Sequence, residues 1–179
     1  MIIKPTYKLV LSAMFLAAGI VLPFFTGQIP QIGNLLLPMH FIVFLCTYLC
    51  GWQYGTAIGF ILPLLRSFMF GAPVLYPTAM AMSLELCVYG LVAGVIYQTA
   101  KRKNVLMIYA SMITAMICGR IVWGLAELFL LGIKSEAFTF EMFILAAFIN
   151  ALPGILIQLI LIPTIVSIFN WRFQKAERL

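Results

Sequence analysis

The sequence predicts an all-α integral membrane protein with six transmembrane helices and both termini in the cytoplasm. Of its 179 residues, 64% are hydrophobic and 9% are charged, and the mean hydropathy is +1.12. Because so few polar groups cannot cover a soluble core, lipid must be the solvent. Apolar stretches of about 20 residues, the length that crosses a bilayer, recur along the chain, and the basic residues gather on one predicted side.

The apolar stretches, separated by Pro, Gly or charged residues, form one predicted domain over residues 1–179. The first follows Lys4 and Lys8 as a signal peptide would, but it runs on to Pro23 without a cleavage pattern of small residues, which favours a retained helix. The second is short and barely separated from the third at Gly51-Trp52-Gln53, so a count of five helices stays open. The predicted helices span approximately residues 8–25, 36–51, 53–70, 78–98, 105–131 and 142–169.

The distribution of Lys and Arg sets the predicted orientation, because cytoplasmic loops of membrane proteins are enriched in both. With six helices, the termini and the loop 101–103 share one side, which carries eight basic residues against Lys134 on the other. An odd helix count would separate the two basic ends. We therefore expect cytoplasmic termini in a multi-pass protein of the plasma membrane. The eight are Lys4, Lys8, Lys101, Arg102, Lys103, Arg172, Lys175 and Arg178.

Several functional classes are excluded by what the sequence lacks. It has no aspartate, one histidine and no Gly-Lys-Ser/Thr phosphate-binding loop, so we expect no enzymatic activity and no cofactor. The net charge of +6 follows from topology and anionic lipid, not from nucleic acid. All four cysteines lie in apolar stretches and are expected to pack as small hydrophobes, and Cys46-x3-Cys50 is weak evidence for a metal.

Ionisable residues inside the predicted helices are candidates for a binding site, because each costs at least about 2.5 kcal/mol at mid-bilayer unless it is paired or hydrated. By the predicted topology, Arg66 and Glu85 reach similar depths in the outer half of the membrane. We expect these residues to line one pocket for a polar solute that opens to the outside. The four such residues are Arg66, Glu85, Arg120 and Glu127.

The fifth predicted helix carries three of the candidates on one face. Arg120, Trp123 and Glu127 are spaced by three, four and seven residues, so their side chains align. The sixth helix brings Asn150 to a comparable level, three residues before Pro153-Gly154, where backbone groups can be freed. These residues extend the predicted pocket.

A structural explanation stays open for each charged residue taken alone. Arg66 with Glu85, or Arg120 with Glu127, would form ion pairs that lock helices together. The set as a whole favours a pocket, because structural pairs have no reason to avoid the inner half. His40, at the outer start of the second helix, is a weaker candidate, since a lone histidine there is more often capped or interfacial.

Two predicted outer loops differ in character. The segment 26–34, with Gln28, Gln31 and Asn34, is polar and rich in turn residues, and it would be either a lid over a bound solute or a solvated connector. The loop 70–77 is apolar and stiffened by proline, so we expect it to fold back over the bundle with Tyr76 at the pocket rim.

The inner half carries small residues in place of charged ones. Glycines and alanines four residues apart let helix backbones approach closely in lipid. Within the bundle this predicts tight packing, and an alanine pair facing outward would be a docking face for another membrane protein. The pairs and ladders are Ala13 with Ala17, Gly51 with Gly55 and Gly59, and Gly90 with Gly94.

A series of short motifs runs along essentially the whole length of the chain, and their order makes them more specific together than singly. They are Ala13-x3-Ala17, Leu37-Pro38-Met39-His40, Gly51-x3-Gly55-x3-Gly59, the run from Gly71 to Met82, Glu85-Leu86 and Tyr89-Gly90-Leu91. In these motifs the chain resembles the substrate-binding S components of energy-coupling factor (ECF) vitamin transporters.

The resemblance implies that the protein binds a vitamin-like solute outside a bacterial cell, while a transmembrane scaffold subunit and two ATPases drive its release inside. Ala13 and Ala17 match the family motif that contacts the scaffold. The substrate stays open: the arginines favour a carboxylate or phosphate, the glutamates favour an amine or an amidine-like ring edge, and Trp123 offers a stacking face.

Two other classes compete with this interpretation. A self-contained channel or secondary transporter would need polar groups through the full depth or an inverted repeat, and neither is evident. A membrane assembly protein would explain the small-residue faces, but it would leave the charged residues without a role.

Overall fold

The computed structural model describes residues 5–27, 36–133, 139–145 and 149–177, and within these ranges the regular structure is helical, with no strand. The all-helical prediction is confirmed for this part of the chain. A π-helical turn, Leu75–Ala79, leads into α4. The helices are α1 (Pro5–Gly27), α2 (Pro38–Cys50), α3 (Trp52–Phe70), α4 (Met80–Thr99), α5 (Val105–Ile133), α6 (Phe140–Ile144) and α7 (Leu152–Glu177).

Four of the helical segments are long and apolar enough to cross a membrane. The shorter apolar helix α2 has 13 residues, and α3, which carries Gln53 and Arg66, does not belong to the four. Large apolar side chains along α1, α5 and α7 are exposed, as lipid-facing surfaces require. The four segments are Pro5–Gly27, Leu75–Thr99, Val105–Gly132 and Leu152–Phe169.

The helix predicted over residues 142–169 is divided in the structure. The short α6 ends at Ile144, and α7 begins at Leu152. Pro153 lies in the first turn of α7, where its missing N–H is not needed for an intrahelical hydrogen bond. The proline therefore starts a helix instead of interrupting one. Asn150 lies in the turn before α7, where its N–H donates to the Leu145 carbonyl at 2.9 Å.

Gly51 alone connects α2 to α3. Its φ of 116° lies in a region that L side chains rarely adopt, so glycine permits the chain to reverse within a single residue. This geometry explains why the second and third apolar stretches are almost continuous in sequence.

Helices α2, α3 and α4 pack with almost no space between their backbones. A Cβ atom at Gly59 would collide with the Leu86 carbonyl of α4, and one at Gly90 would collide with the backbone of Gly55 on α3. The predicted glycine ladder is therefore a packing seam, as close approach of helices in lipid requires.

The half of the bundle beyond the glycine seam, near the α4–α5 loop, also contains polar groups, which corrects the expectation of small residues alone. The Tyr48 hydroxyl donates to the Ser111 hydroxyl at 2.7 Å and lies 3.3 Å from the Ile108 carbonyl. Ser111 in turn donates to the same carbonyl at 3.0 Å. These buried hydroxyls satisfy one another, and no charge is involved.

Candidate functional site

A charged cluster joins α2, α4 and α5 in the interior. The Glu85 carboxylate Oε1 lies 3.1 Å from Nη1 of Arg120 and 3.4 Å from Nε2 of His40. Exposure is 1% for Glu85, 1% for His40 and 7% for Arg120. The three residues, called the ionic cluster below, therefore interact away from bulk water, where electrostatic attraction is strong.

Close packing of α4 on α5 brings the cluster together. Gly119 lies against the ring of Tyr89, and a Cβ atom there would overlap that ring. Because Arg120 follows Gly119 directly, this approach carries the guanidinium to Glu85. The Tyr89 ring also meets the His40 ring edge to face, with centroids 5.4 Å apart, so tyrosine and carboxylate fix the histidine from two directions.

Several polar atoms of the cluster are buried without a hydrogen-bond partner in the part of the chain that the structure describes. They are Nε and Nη2 of Arg120, Nδ1 and Nε2 of His40, and Oε1 of Glu85, whose contacts with its neighbours are at ion-pair distance without a hydrogen bond. Buried donors are ordinarily paired, because an unpaired one costs about 1–3 kcal/mol. The cluster therefore keeps hydrogen-bonding capacity that a polar solute or water would use.

A cleft of about 530 Å³ opens at the end of the bundle where α1 and α3 finish and α2 and α4 begin. Its wall is formed by the end of α1, the start of α2, the residues 71–74 and the start of α4. Arg66 lines it, with 7% exposure. This volume is within the range of small-molecule sites.

The cleft and the ionic cluster are neighbours. Met39, next to His40 in α2, lines the cleft, and so does Met82, which precedes Glu85 by one turn of α4. The cluster therefore lies one turn further along α4 than the cleft wall. The candidates that sequence analysis put in one pocket are divided between an open cleft and a buried cluster beside it.

The two ion pairs considered from the sequence are wrong. Glu85 pairs with Arg120, not with Arg66, and Glu127 is not the partner of Arg120. Arg66 instead donates from Nη1 to the Ile20 carbonyl of α1 at 2.6 Å. The interpretation of His40 as a capped or interfacial residue is also wrong, because its side chain is buried beside Glu85.

The remaining candidates lie outside the ionic cluster. Trp123 is half-buried and stacks on Phe143 of α6, with centroids 6.2 Å apart. Glu127 is buried at 5% exposure, and Asn150 is exposed. The Tyr76 hydroxyl donates to the Leu130 carbonyl, which ties the α3–α4 connection back onto α5.

The predicted lid and docking residues complete the set. Asn34, Gln28 and Gln31 lie outside the described residues. Ala13 and Ala17 are exposed on α1. Among the described residues, no group of three or more His, Cys, Asp or Glu side chains lies together as a metal site requires.

Gln158 of α7, which is 1% exposed, is a buried polar residue that was not among the candidates from the sequence. Its Nε2 donates to the carbonyl of Leu37 at 3.4 Å, and its Oε1 has no partner among the described residues. Leu37 has a φ of 49°, which is uncommon for a residue with a side chain, so Gln158 helps to hold the chain where α2 begins.

A second cavity of about 280 Å³ is lined by Gln158 and shares Pro38 with the cleft. An amide in an apolar helix was the signal available in the sequence.

These features define an all-helical membrane protein with a charged cluster and a cleft at one end of its bundle. The family model described as ECF transporter, substrate-specific component, matches residues 7–166. The chain belongs to this family, which confirms the resemblance seen in its motifs. Members are substrate-binding and not catalytic, and membership implies association with the scaffold and ATPases of an ECF module. The comparisons with curated proteins and with solved structures found no match.

Proposed function

We propose that the protein captures a small water-soluble vitamin or vitamin-like compound at the extracellular face of the plasma membrane and delivers it inward as the substrate-specific subunit of an ATP-driven ECF transporter. Family membership supports the role of the subunit. The observation that carries the proposal of a solute site is the ionic cluster beside the cleft, with buried Arg120 donors that lack partners among the described residues.

The sidedness of the proposal is supported by the charge distribution. The loop 101–103, between α4 and α5, holds three basic residues, whereas the segment 28–35, between α1 and α2, holds none. By the positive-inside rule the cleft end faces outward and both termini are cytoplasmic, which corresponds to six membrane passages.

In this proposal the solute contacts residues of both the cleft and the cluster. Arg66 binds it from the cleft wall, and His40, Glu85 and Arg120 form the polar side of the site. Trp123 stacks beside it, Asn34 is a further proposed hydrogen-bonding residue, and the remaining contacts come from Tyr76, Glu127 and Asn150. The apolar wall, with Met39 and Met82, accommodates the body of the solute.

The partners in the proposal are a transmembrane scaffold subunit and two ATPases. The sequence contains no phosphate-binding loop, so ATP hydrolysis belongs to other subunits. Ala13 and Ala17, exposed on α1, are the proposed contacts with the scaffold.

Solute binding by the isolated protein tests the proposal. Purified protein in lipid nanodiscs is titrated with water-soluble vitamins, while intrinsic tryptophan fluorescence is recorded and co-purified solutes are identified by mass spectrometry. We expect one compound to bind saturably and to change the fluorescence, because Trp123 lies three residues from Arg120 on the same helical face. Failure of every compound to bind would contradict the proposal.

A pair of tryptophan variants locates the signal. Trp123→Phe should remove most of the fluorescence change, whereas Trp52→Phe should retain it, because Trp52 starts α3 at the opposite end of the bundle. Retention of the full change in Trp123→Phe would place the solute elsewhere.

A further inference from the structure

The acidic residues of the chain are few, and the one in the ionic cluster is already paired. The sequence contains five acidic residues and eleven Lys and Arg. Glu85 lies at ion-pair distance from Arg120 and close to His40. Because Arg120 offsets the charge of Glu85, the cluster offers little attraction to a cationic solute.

Arg66 is a buried cation without a carboxylate partner in the described part of the chain. Its Nη1 donates to the Ile20 carbonyl, and its guanidinium lies 4.7 Å from the centroid of the Phe24 ring. A carbonyl and an aromatic face orient a guanidinium, but they carry no net charge to neutralise it. A guanidinium has five N–H donors, so donors remain for a further partner.

Arg66 also sets the charge of the cleft. It is the one charged side chain among the described residues that line the cleft, where Thr26 and Thr78 add hydroxyls and Met39 and Met82 add apolar surface. The described part of the cleft wall therefore presents a single positive charge and is otherwise neutral.

We propose that the cleft selects a solute with one anionic group, a carboxylate or a phosphate, attached to an uncharged body, and that Arg66 binds that group. The proposal rests on the proposed function and deepens it by naming the charge of the substrate. A guanidinium binds these anions through paired charge-assisted hydrogen bonds. A cationic solute would meet an uncompensated like charge. The structure thus favours the anionic option over the amine option that the sequence left open.

Matched pairs of solutes test the assignment on the wild-type protein. In nanodiscs of phosphatidylcholine, we compare pantothenate with panthenol, biotin with biotinamide, and pyridoxal phosphate with pyridoxal, and we include thiamine as a cation. In whichever pair binds to the protein, the anionic compound should bind about ten- to a hundredfold more tightly than the uncharged one, because the uncharged compound lacks the charge-assisted hydrogen bond to Arg66.

Variants then assign the preference to Arg66. Arg66→Gln should bring the two members of that pair to within a few-fold of each other, and Arg66→Lys, which retains the charge, should keep part of the preference. The control Arg102→Gln removes the same charge from the exposed α4–α5 loop and should leave the preference unchanged.

The outcomes separate the two proposals. If thiamine or an uncharged member binds at least as tightly as every anionic one, the charge assignment is overturned while the proposed function stands. If no probe binds, both are overturned. A lipid phosphate is the other source of an anion. If phosphatidylglycerol co-purifies with the wild type but not with Arg66→Gln, and the wild type shows no preference within the soluble pairs, the assignment is also overturned.

Discussion

Glu85 holds three helices together at the level of single residues. Its carboxylate, 1% exposed on α4, meets cations or potential cations from α5 and α2, so each helix contributes one member of the ionic cluster. Removing a charge from water costs several kcal/mol, and this desolvation cost is offset only while the ion-pair partners stay in place. A change of Glu85 or of Arg120 alone therefore leaves a buried charge without its ion-pair partner.

We expect Glu85→Leu to destabilise the protein by about 3–5 kcal/mol, because Arg120 then remains buried and charged without its carboxylate. The double variant Glu85→Leu with Arg120→Met should recover most of that loss, since replacing both members by apolar residues of similar size is often neutral. Both variants should lose solute binding. Thermal unfolding in detergent, followed by a solute titration, measures the two effects separately.

This comparison distinguishes a binding role from a packing role. If the double variant regains stability but not binding, the cluster serves the solute. If it regains both, Glu85 and Arg120 are a structural pair and belong outside the proposed site.

The sequence identifies the members of the cluster but not their pairing. Charges in apolar helices are conspicuous, so Glu85 and Arg120 of the cluster, and Arg66 outside it, are found without a structure. Their partners depend on how the helices are rotated against each other, which is set by contacts such as Gly119 against Tyr89. Spacing within one helix carries no information on that rotation. For this reason both ion pairs considered from the sequence were wrong.

At the level of helices, glycines decide how α3 and α4 meet. Gly59 lies directly against the Leu86 carbonyl, and Gly90 against the backbone of Gly55. Backbone atoms cannot rotate away as a side chain can, so any added Cβ must move a whole helix. That movement would also shift Glu85, which lies one residue from Leu86.

Gly59→Ala is expected to destabilise the protein by about 3 kcal/mol, the upper end of the usual cost of overpacking, because the obstacle is backbone. Gly132→Ala is the control: it lies in α5 with nothing within 4 Å of an added Cβ atom. There alanine should be neutral or add up to about 1 kcal/mol through helix propensity. Apparent melting temperatures in detergent compare the two, and equal values for both variants would contradict the packing seam.

Composition alone predicts some of the helices and not others. Apolar runs predicted α1, α4 and α5 within a few residues, because lipid burial requires length and apolarity together. The break before α7 was missed, since composition between residues 142 and 169 stays apolar while the backbone turns. The π-helical turn at Leu75–Ala79 likewise has no compositional signal.

For the whole molecule, the exposed surface of α1 combines large and small side chains. Met14 is 64% exposed and Val10 is 56% exposed, and the exposed Ala13 and Ala17 lie one turn apart on this helix. Lipid chains pack on large side chains as well as on small ones, whereas a second helix gains from alanines because its backbone can approach closely. Exposed alanines one turn apart are therefore suited to a protein partner, in agreement with the proposed scaffold contact.

We expect the double variant Ala13→Leu with Ala17→Leu to abolish solute uptake by cells that contain the scaffold and ATPases. The solute affinity of the purified variant should stay within about threefold of wild type, a change in binding free energy of less than about 1 kcal/mol. The physical reason is that added side chains separate two helix backbones without reaching the cleft. Ala57→Leu with Ala110→Leu is the matched control, since both alanines are exposed on other helices; it should preserve uptake and binding. Co-purification with the scaffold locates the defect. Loss of binding in the α1 variant, or equal loss of uptake in the control, would mean that general packing and not a docking face accounts for these alanines.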